Sequence, residues 1–241
     1  MTLQWYHYTS VLIIIVVLWA FRNKSQSSRY RFLYALSVIN FIAYFWNWLN
    51  FVWRSDHVLT LLPLQLCDIA VILIPIGLVT KKEAIMDFVF YICALGALGA
   101  ILFVGSDYAQ SYSWMTISFY IFHFTIFLIP LLMSAWGFYA LKPSVKKAAM
   151  LTVVVLATGA VLYWFSLYLN ATFHVKANYF FTIKDLGAPI NPALAFFASI
   201  IPYDYFYLLF AFPILYVYMG LIALILKLKH RNSAQTLTES S

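Results

Sequence analysis

Seven apolar runs separated by short connections account for most of the chain. They occupy residues 8–21, 32–53, 58–79, 84–104, 113–137, 148–169 and 203–226. A helix needs about 20 apolar residues to cross the hydrocarbon layer of a membrane. Only 10% of the residues are charged, whereas soluble domains carry about 25%. We therefore predict an all-α fold, a polytopic membrane bundle of seven transmembrane helices.

The positive charges predict how this bundle is oriented. Of the fifteen Lys and Arg, twelve fall in connections on one side of the predicted bundle and three on the other. Because Lys and Arg accumulate on the cytoplasmic side, we expect the N-terminus outside and the C-terminus in the cytoplasm. The first run has no Lys or Arg before it, unlike a secretory signal, so we expect it to be retained. The basic residues form no single patch, which argues against a nucleic-acid partner.

Residues 1–231 are predicted to form a single transmembrane domain. The only long connection, residues 170–202, falls on the predicted outer side, and long loops of this kind are often lids or binding loops. Its segments 178–182 and 194–197 are too apolar to stand free in water, so we expect the loop to fold back over the bundle as a cap. Residues 232–241 are expected to be a disordered cytoplasmic tail.

An acidic residue, Asp68, lies inside the third apolar run with the amide of Gln65 three positions before it. A carboxylate in the hydrocarbon costs roughly 2.5–3.5 kcal/mol, and such residues mark function or a buried partner. Residues three apart share one face of a helix. We therefore predict that Gln65 and Asp68 face the interior of the bundle together.

Two further polar stripes are predicted to face the interior, since polar groups turned to lipid are costly. They run along the second helix (Asn40, Tyr44, Asn47, Asn50) and the fifth helix (Ser113, Thr116, Tyr120, His123). Asp68 and His123 each lie ten residues past the outer start of their helix, about 15 Å deep. A carboxylate and an imidazole at one depth can share a proton, which predicts an acid–base pair or a proton relay.

Three interpretations of these polar residues stay open at the level of sequence. They hold the helices together, they line a pocket for a ligand or substrate, or they carry out acid–base or nucleophilic chemistry. Cys67 is either an inert small apolar residue or a nucleophile. No histidine pair has the spacing of a helical metal site, and no phosphate-binding loop occurs, so neither a metal nor a cofactor is expected.

The motif LPLQLCD at residues 62–68, His123, the segment NYFF at residues 178–181 and the segment PYDY at residues 202–205 resemble the YwaF-type family of bacterial integral membrane proteins. Eukaryotic transmembrane protein 164 is distantly similar to that family. The family motif is L-P-L-H-L-C-D, so Gln65 stands in place of its histidine. The resemblance implies a multi-pass protein of the bacterial plasma membrane.

By similarity, the resemblance implies fatty-acyl transfer to a lysophospholipid within the bilayer. Cys67 would be the nucleophile, His123 the base and Asp68 its orienting group. The expected partners are membrane lipid and a lipid or small-molecule substrate. The predicted binding residues are Gln65, Asn40, Tyr44, Asn47, Thr116, Tyr120, Asn178 and Tyr179.

Two other classes of function stay open beside the enzyme. One is a small-solute transporter, or a membrane-embedded substrate-binding subunit, that uses Asp68 and His123 to bind a ligand or a proton. The other is a structural or regulatory partner acting through the basic loops. The enzyme and the transporter both depend on the polar residues of the third and fifth helices.

Overall fold

The computed structural model describes residues 5–52, 57–104 and 114–239, and this part of the chain is helical with no strand. Helices α1 to α10 are Trp5–Ala20, Gln26–Val52, Leu66–Thr80, Glu83–Phe88, Ala94–Leu102, Trp114–Ala135, Val145–Phe173, Lys184–Gly187, Pro192–Ile200 and Ala211–Glu239. A π-helical turn, Val89–Cys93, joins α4 to α5, and short 3₁₀ segments cover Val58–Thr60, Tyr179–Phe181 and Phe206–Phe210.

Five helical segments in the described residues are long and apolar enough to cross a membrane. They are Gln26–Leu49, Glu83–Leu102, Thr116–Ala135, Val145–Phe173 and Phe206–Leu228. The helices in the first and third predicted spans, His7–Ala20 and Leu66–Thr80, are apolar but shorter. The structure therefore supports a multi-pass helical bundle with five candidate spans. The count of seven spans and the orientation of the termini stay predictions.

The third predicted span begins later than expected. Residues 58–79 were predicted to form one helix, but α3 starts only at Leu66, after a 3₁₀ turn and an irregular stretch. Pro63 accounts for the break, because proline lacks the backbone N–H and disfavours helical geometry at the residue before it. At 15 residues, α3 is about 22 Å long. Gln65 and Asp68 consequently lie at a helix start instead of in mid-helix.

Helix α6 lies at the centre of the fold, where it packs against α1, α2, α3, the π-helical turn and α5. Its buried side chains include Ile126, Ile129 and Leu132, which have no or almost no exposed surface. They meet Ile74 and Leu78 of α3 in the main apolar core. The helix pair proposed from sequence to carry the polar site, α3 and α6, is thus in direct contact.

The two ends of the bundle differ in chemistry. At one end, the connections before α2, before α4 and before α7 come together, and these connections with the first two turns of the helices that follow carry nine of the fifteen Lys and Arg. We call this the basic end. At the other end, where α3 begins, the chain between α7 and α10 folds back onto the helices. We call this the cap end.

The connection between α7 and α10 is structured throughout. Residues 174–183, which we call the strap, contain the buried side chains of Ala177, Tyr179, Phe180 and Thr182. Two short helices, α8 and α9, and the last 3₁₀ segment follow. Gln65 joins the strap to the start of α3, and the role of this connection as an external cap stays a prediction.

The final helix runs further than the sequence suggested. Residues 232–241 were expected to be disordered, whereas α10 continues to Glu239. Nothing in residues 232–239 breaks a helix, because they contain neither Gly nor Pro. Residues 240 and 241 lie outside the described part of the chain.

Candidate functional site

The start of α3 is built by Gln65 and Asp68 acting as a cap. The backbone N–H of Gln65 donates to Oδ2 of Asp68 over 2.9 Å, which is one half of a capping box. A carboxylate in the first turn is also stabilised by the positive end of the helix dipole. Asp68 is therefore held in place by its own helix start.

The side chain of Gln65 fastens the strap to this helix start. Its Nε2 donates to the carbonyl of Asn178 over 2.9 Å, and its Oε1 accepts from the N–H of Phe180 over 2.8 Å. One amide thus satisfies both a donor and an acceptor of a backbone more than 110 residues away in sequence. Gln65 and Asn178, both predicted as binding residues, are in direct contact.

Tyr179 lies at the middle of the strap and joins three elements. Its N–H donates to Oγ of Ser166 in α7 over 3.1 Å, and its hydroxyl donates to the carbonyl of Leu59. Its ring stacks on Phe165 with a centroid distance of 5.9 Å. Burial raises the pKa of the Tyr179 phenol, and the charge of Asp68 acts in the same direction, against a backbone hydrogen bond at Leu62 that lowers it.

Strap residues adopt backbone angles that are rare outside glycine. Phe180 has φ 57° and Phe181 has φ 53°, and Tyr205, which donates its N–H to the carbonyl of Thr182 over 2.6 Å, has φ 61°. Bulky residues in this region cost about 1–3 kcal/mol each and persist only where surrounding contacts impose them. Such strain concentrates at functional sites, which makes the strap and the start of α3 the candidate site.

Several of the predicted site residues lie close enough to Asp68 to be affected by its charge. Its charge acts on Tyr44 of α2, on Cys67 beside it and on Tyr179 of the strap. Cys67 is a partly buried free thiol. One thiol and two phenols thus lie within electrostatic range of this carboxylate.

His123 is buried in α6, and its hydrogen bond and ring contacts are with residues of its own helix. Its Nδ1 lies 2.9 Å from the carbonyl of Phe119, and its ring packs on those of Phe119 and Phe122 at 4.1 and 4.7 Å. In the described residues no hydrogen bond or ion pair joins His123 to Asp68. Helices α3 and α6 are neighbours, and the pairing of the two side chains stays a prediction.

The polar stripes of α2 and α6, each of which was predicted to face the interior, also face each other. Nδ2 of Asn40 donates to the carbonyl of Phe122 and Oγ of Ser118 donates to Oδ1 of Asn47, each over 3.5 Å. Asn40, Asn47, Thr116 and Tyr120 are buried. The side chain of Asn50 and all of Ser113 lie outside the described residues. Oδ1 of Asn40 is buried and has no partner among the described residues, so it is free to accept a hydrogen bond from a ligand.

One buried polar cluster was missed from the sequence, although the rule that singled out Asp68 would have found it. Asp87 lies inside the fourth predicted span at the basic end and is 3% exposed. Lys147 of α7 lies 2.8 Å from its carboxylate and 3.3 Å from Glu83, and the hydroxyl of Tyr139 also donates to it. Burial and this hydrogen bond raise the pKa of Tyr139. We call these four side chains the basic-end cluster.

A family model described as the TMEM164 family matches residues 2–225 of the chain. No curated protein and no solved structure matches the chain. In the part of the chain that the structure describes, no group of three or more His, Cys, Asp or Glu side chains is placed to hold a metal ion.

Proposed function

The chain belongs to the TMEM164 family, and from that premise we propose that it is a multi-pass membrane protein acting on a lipid or lipid-like substrate at the start of α3. The observation that carries the proposal is a helix start that contains Cys67 and Asp68 and that Gln65 joins to the strap by two hydrogen bonds. A partly buried thiol suits a reaction that must exclude water. The YwaF-type resemblance and a bacterial plasma membrane belong to the same proposal.

Fatty-acyl transfer is the most concrete form of this function. The sulfur of Cys67 attacks the ester carbonyl of a donor lipid, a thioester forms, and the donor leaves as an alcohol that takes up a proton. The hydroxyl of a lysophospholipid then attacks the thioester, and the new ester is released as the thiol regains its proton. Each step forms one bond to the acyl carbon and breaks another, so neither step needs an oxidant or a reductant.

A thiol nucleophile needs a base. The thiolate, and not the thiol, is the reactive form of cysteine, so a neighbouring base must take the proton of Cys67 as the carbonyl is attacked. His123 on the adjoining helix is the imidazole proposed for this step, and Asp68 is the group proposed to orient it. Asn40, with its free buried oxygen, is proposed to bind the substrate.

The test measures transfer of a radiolabelled acyl chain from phosphatidylcholine to a lysophospholipid by purified protein in vesicles. Cys67→Ala and His123→Ala are expected to abolish transfer, and the parent protein is expected to carry a label on Cys67 that hydroxylamine removes. The matched control is Cys93→Ala, because Cys93 is the other free thiol and is fully buried. Undiminished turnover in Cys67→Ala would end the nucleophile assignment.

A small-solute transporter or substrate-binding subunit is the second candidate. It is favoured by the contrast between a strap fastened by hydrogen bonds at one end and a buried ion pair at the other, since transporters open at one end at a time. In this case Asp68 and His123 would bind the solute or a proton. Accumulation of a solute in sealed vesicles, lost in Asp68→Asn while acyl transfer is absent from the parent protein, would favour it.

A further inference from the structure

The stretch between the last two candidate spans contains 18 consecutive uncharged residues. Residues 186–203 include no Asp, Glu, Lys, Arg or His, and an aspartate borders them on each side, Asp185 and Asp204. A connection that lies in water normally carries charged side chains, and exposed apolar patches mark an interaction surface. The composition of this stretch therefore indicates that its exposed side chains contact something other than water.

Helix α9 and its flanks are amphipathic without any charge. Phe197 turns inward, 9% exposed, and packs on Phe210 with a centroid distance of 5.4 Å. The outward side chains are large and apolar, and each is between 45% and 67% exposed: Ile190, Phe196, Ile200, Tyr203 and Phe206. We call these five residues the apolar edge.

The position of the apolar edge identifies its partner. Four of its residues lie in the connection between the candidate spans Val145–Phe173 and Phe206–Leu228, and the fifth, Phe206, begins the second of these spans. The exposed rings of Trp164 and Tyr168 on α7 belong to a span that enters this connection. Aromatic side chains at the ends of spans gather at the boundary between headgroups and acyl chains.

The segment is also anchored to the bundle in one orientation. Nδ2 of Asn191, next to the start of α9, donates to the carbonyl of Phe103 over 2.6 Å, and its Oδ1 accepts from the N–H of Ala193 over 2.8 Å. At the far side, Oδ1 of Asp204 accepts from the N–H of Lys184 over 2.7 Å. The outward face of the segment is thereby fixed by the bundle.

We propose that residues 190–206 lie in the interfacial layer of the same bilayer that the protein crosses, with the apolar edge embedded among the lipid headgroups and upper acyl chains. Amphipathic segments of this size bind membranes by burying an apolar face about 5–10 Å deep. The absence of basic residues means that this contact is apolar and does not depend on anionic lipid. The proposal requires a multi-pass protein and is independent of acyl transfer.

The embedded segment is joined to the strap. The N–H of Tyr205 donates to the carbonyl of Thr182, and the hydroxyl of Tyr207 donates to the carbonyl of Phe181. Gly187 lies against that hydroxyl so closely that a Cβ there would be 2.7 Å from it. These contacts join the segment that carries the apolar edge to the strap above the start of α3.

The test places a nitroxide label at Phe196→Cys, and separately at Ile200→Cys, in full-length protein carrying Cys67→Ala and Cys93→Ala. The protein is reconstituted in phosphatidylcholine vesicles. Power-saturation electron paramagnetic resonance then gives the collision rates of the label with oxygen, which concentrates in the acyl layer, and with a nickel chelate, which stays in water. Both side chains are about half exposed. Phe196 also contacts the ring of Phe210, so the label at Ile200 is the check that the result does not depend on that contact.

Two reference positions set the scale. A label at Asp185, whose side chain is 85% exposed, reports water, and a label at Val161, 68% exposed within a candidate span, reports the acyl layer. At residues 196 and 200 we expect oxygen-to-nickel ratios between those two references, unchanged when phosphatidylglycerol replaces part of the phosphatidylcholine. Ratios equal to that at residue 185 would overturn the proposal, as would exclusion of both reagents, which would show a protein partner or a second copy on this face.

Discussion

Replacing Gln65 by alanine should release the strap from the start of α3. The substitution removes two hydrogen bonds, to the carbonyl of Asn178 and from the N–H of Phe180, while the backbone N–H of residue 65 can still donate to Asp68. Each hydrogen bond contributes about 1 kcal/mol net. The strap should therefore open about 2 kcal/mol more easily.

Hydrogen–deuterium exchange followed by mass spectrometry measures this opening directly. Since 1.4 kcal/mol corresponds to a factor of ten, exchange of the amides in residues 177–183 should become ~30-fold faster in Gln65→Ala. Gln65→Met, which keeps the volume and loses the hydrogen bonds, should behave in the same way. That second variant separates the hydrogen bonds from the cavity that alanine leaves.

The matched control is Gln26→Ala. Gln26 is also a glutamine whose amide donates to a distant backbone carbonyl, that of Trp136, over 3.2 Å, but it lies at the basic end. Its replacement should leave exchange in the strap unchanged. Equal exchange rates in the parent and in both variants of Gln65 would refute the idea that this side chain fastens the strap.

Three further predictions concern packing and charge, with thermal or denaturant unfolding in detergent as the common measurement. Gly96→Ala should leave the protein less stable than Gly99→Ala does, because a Cβ at Gly96 would lie 2.9 Å from the side chain of Leu66 at the start of α3, whereas a Cβ at Gly99 would have nothing within 4 Å. Both variants gain the same helix propensity, about 1 kcal/mol, so equal effects would contradict the close packing of α5 on α3. Lys147→Met should cost about 3–5 kcal/mol by leaving a buried carboxylate without its cation, and adding Asp87→Asn should restore much of that loss. Because the pKa of Tyr139 is raised in the folded state, the unfolded chain loses this proton first, above about pH 10; stability should then fall with rising pH, less steeply in Tyr139→Phe.

Hydropathy and charge were enough to locate the helices, because the bilayer demands long apolar runs and separates the basic connections. Every apolar run predicted from the sequence contains a helix in the structure. The late start of α3 was also encoded locally, in Pro63 and in the three-residue spacing of a cap from Gln65 to Asp68. An apolar run of 22 residues by itself favours one continuous helix, and only these two local signals divide it.

The contacts of the candidate site were beyond sequence reasoning for a physical reason. Gln65 meets Asn178 and Phe180 across more than 110 residues, and a periodic pattern shows which face a residue occupies but not which distant segment covers it. Asp87 was a different case, since an ionisable residue inside a predicted span is a signal in itself. The partners of Asp87, Tyr139 and Lys147, come from other elements and required the fold.

The two ends of the bundle should differ in how easily they open, and this decides where a substrate enters. At the basic end, separating Lys147 from Asp87 while the Asp87 carboxylate stays buried costs about 3–5 kcal/mol. At the cap end, Gln65 holds the strap with uncharged hydrogen bonds worth about 1 kcal/mol each, and release of the left-handed backbone at Phe180 and Phe181 returns part of that cost. The cap end is therefore the side that opens first, and it is the side where Cys67 and Asp68 lie. A substrate taken from the bilayer beside the apolar edge would reach these residues without disturbing the basic-end cluster.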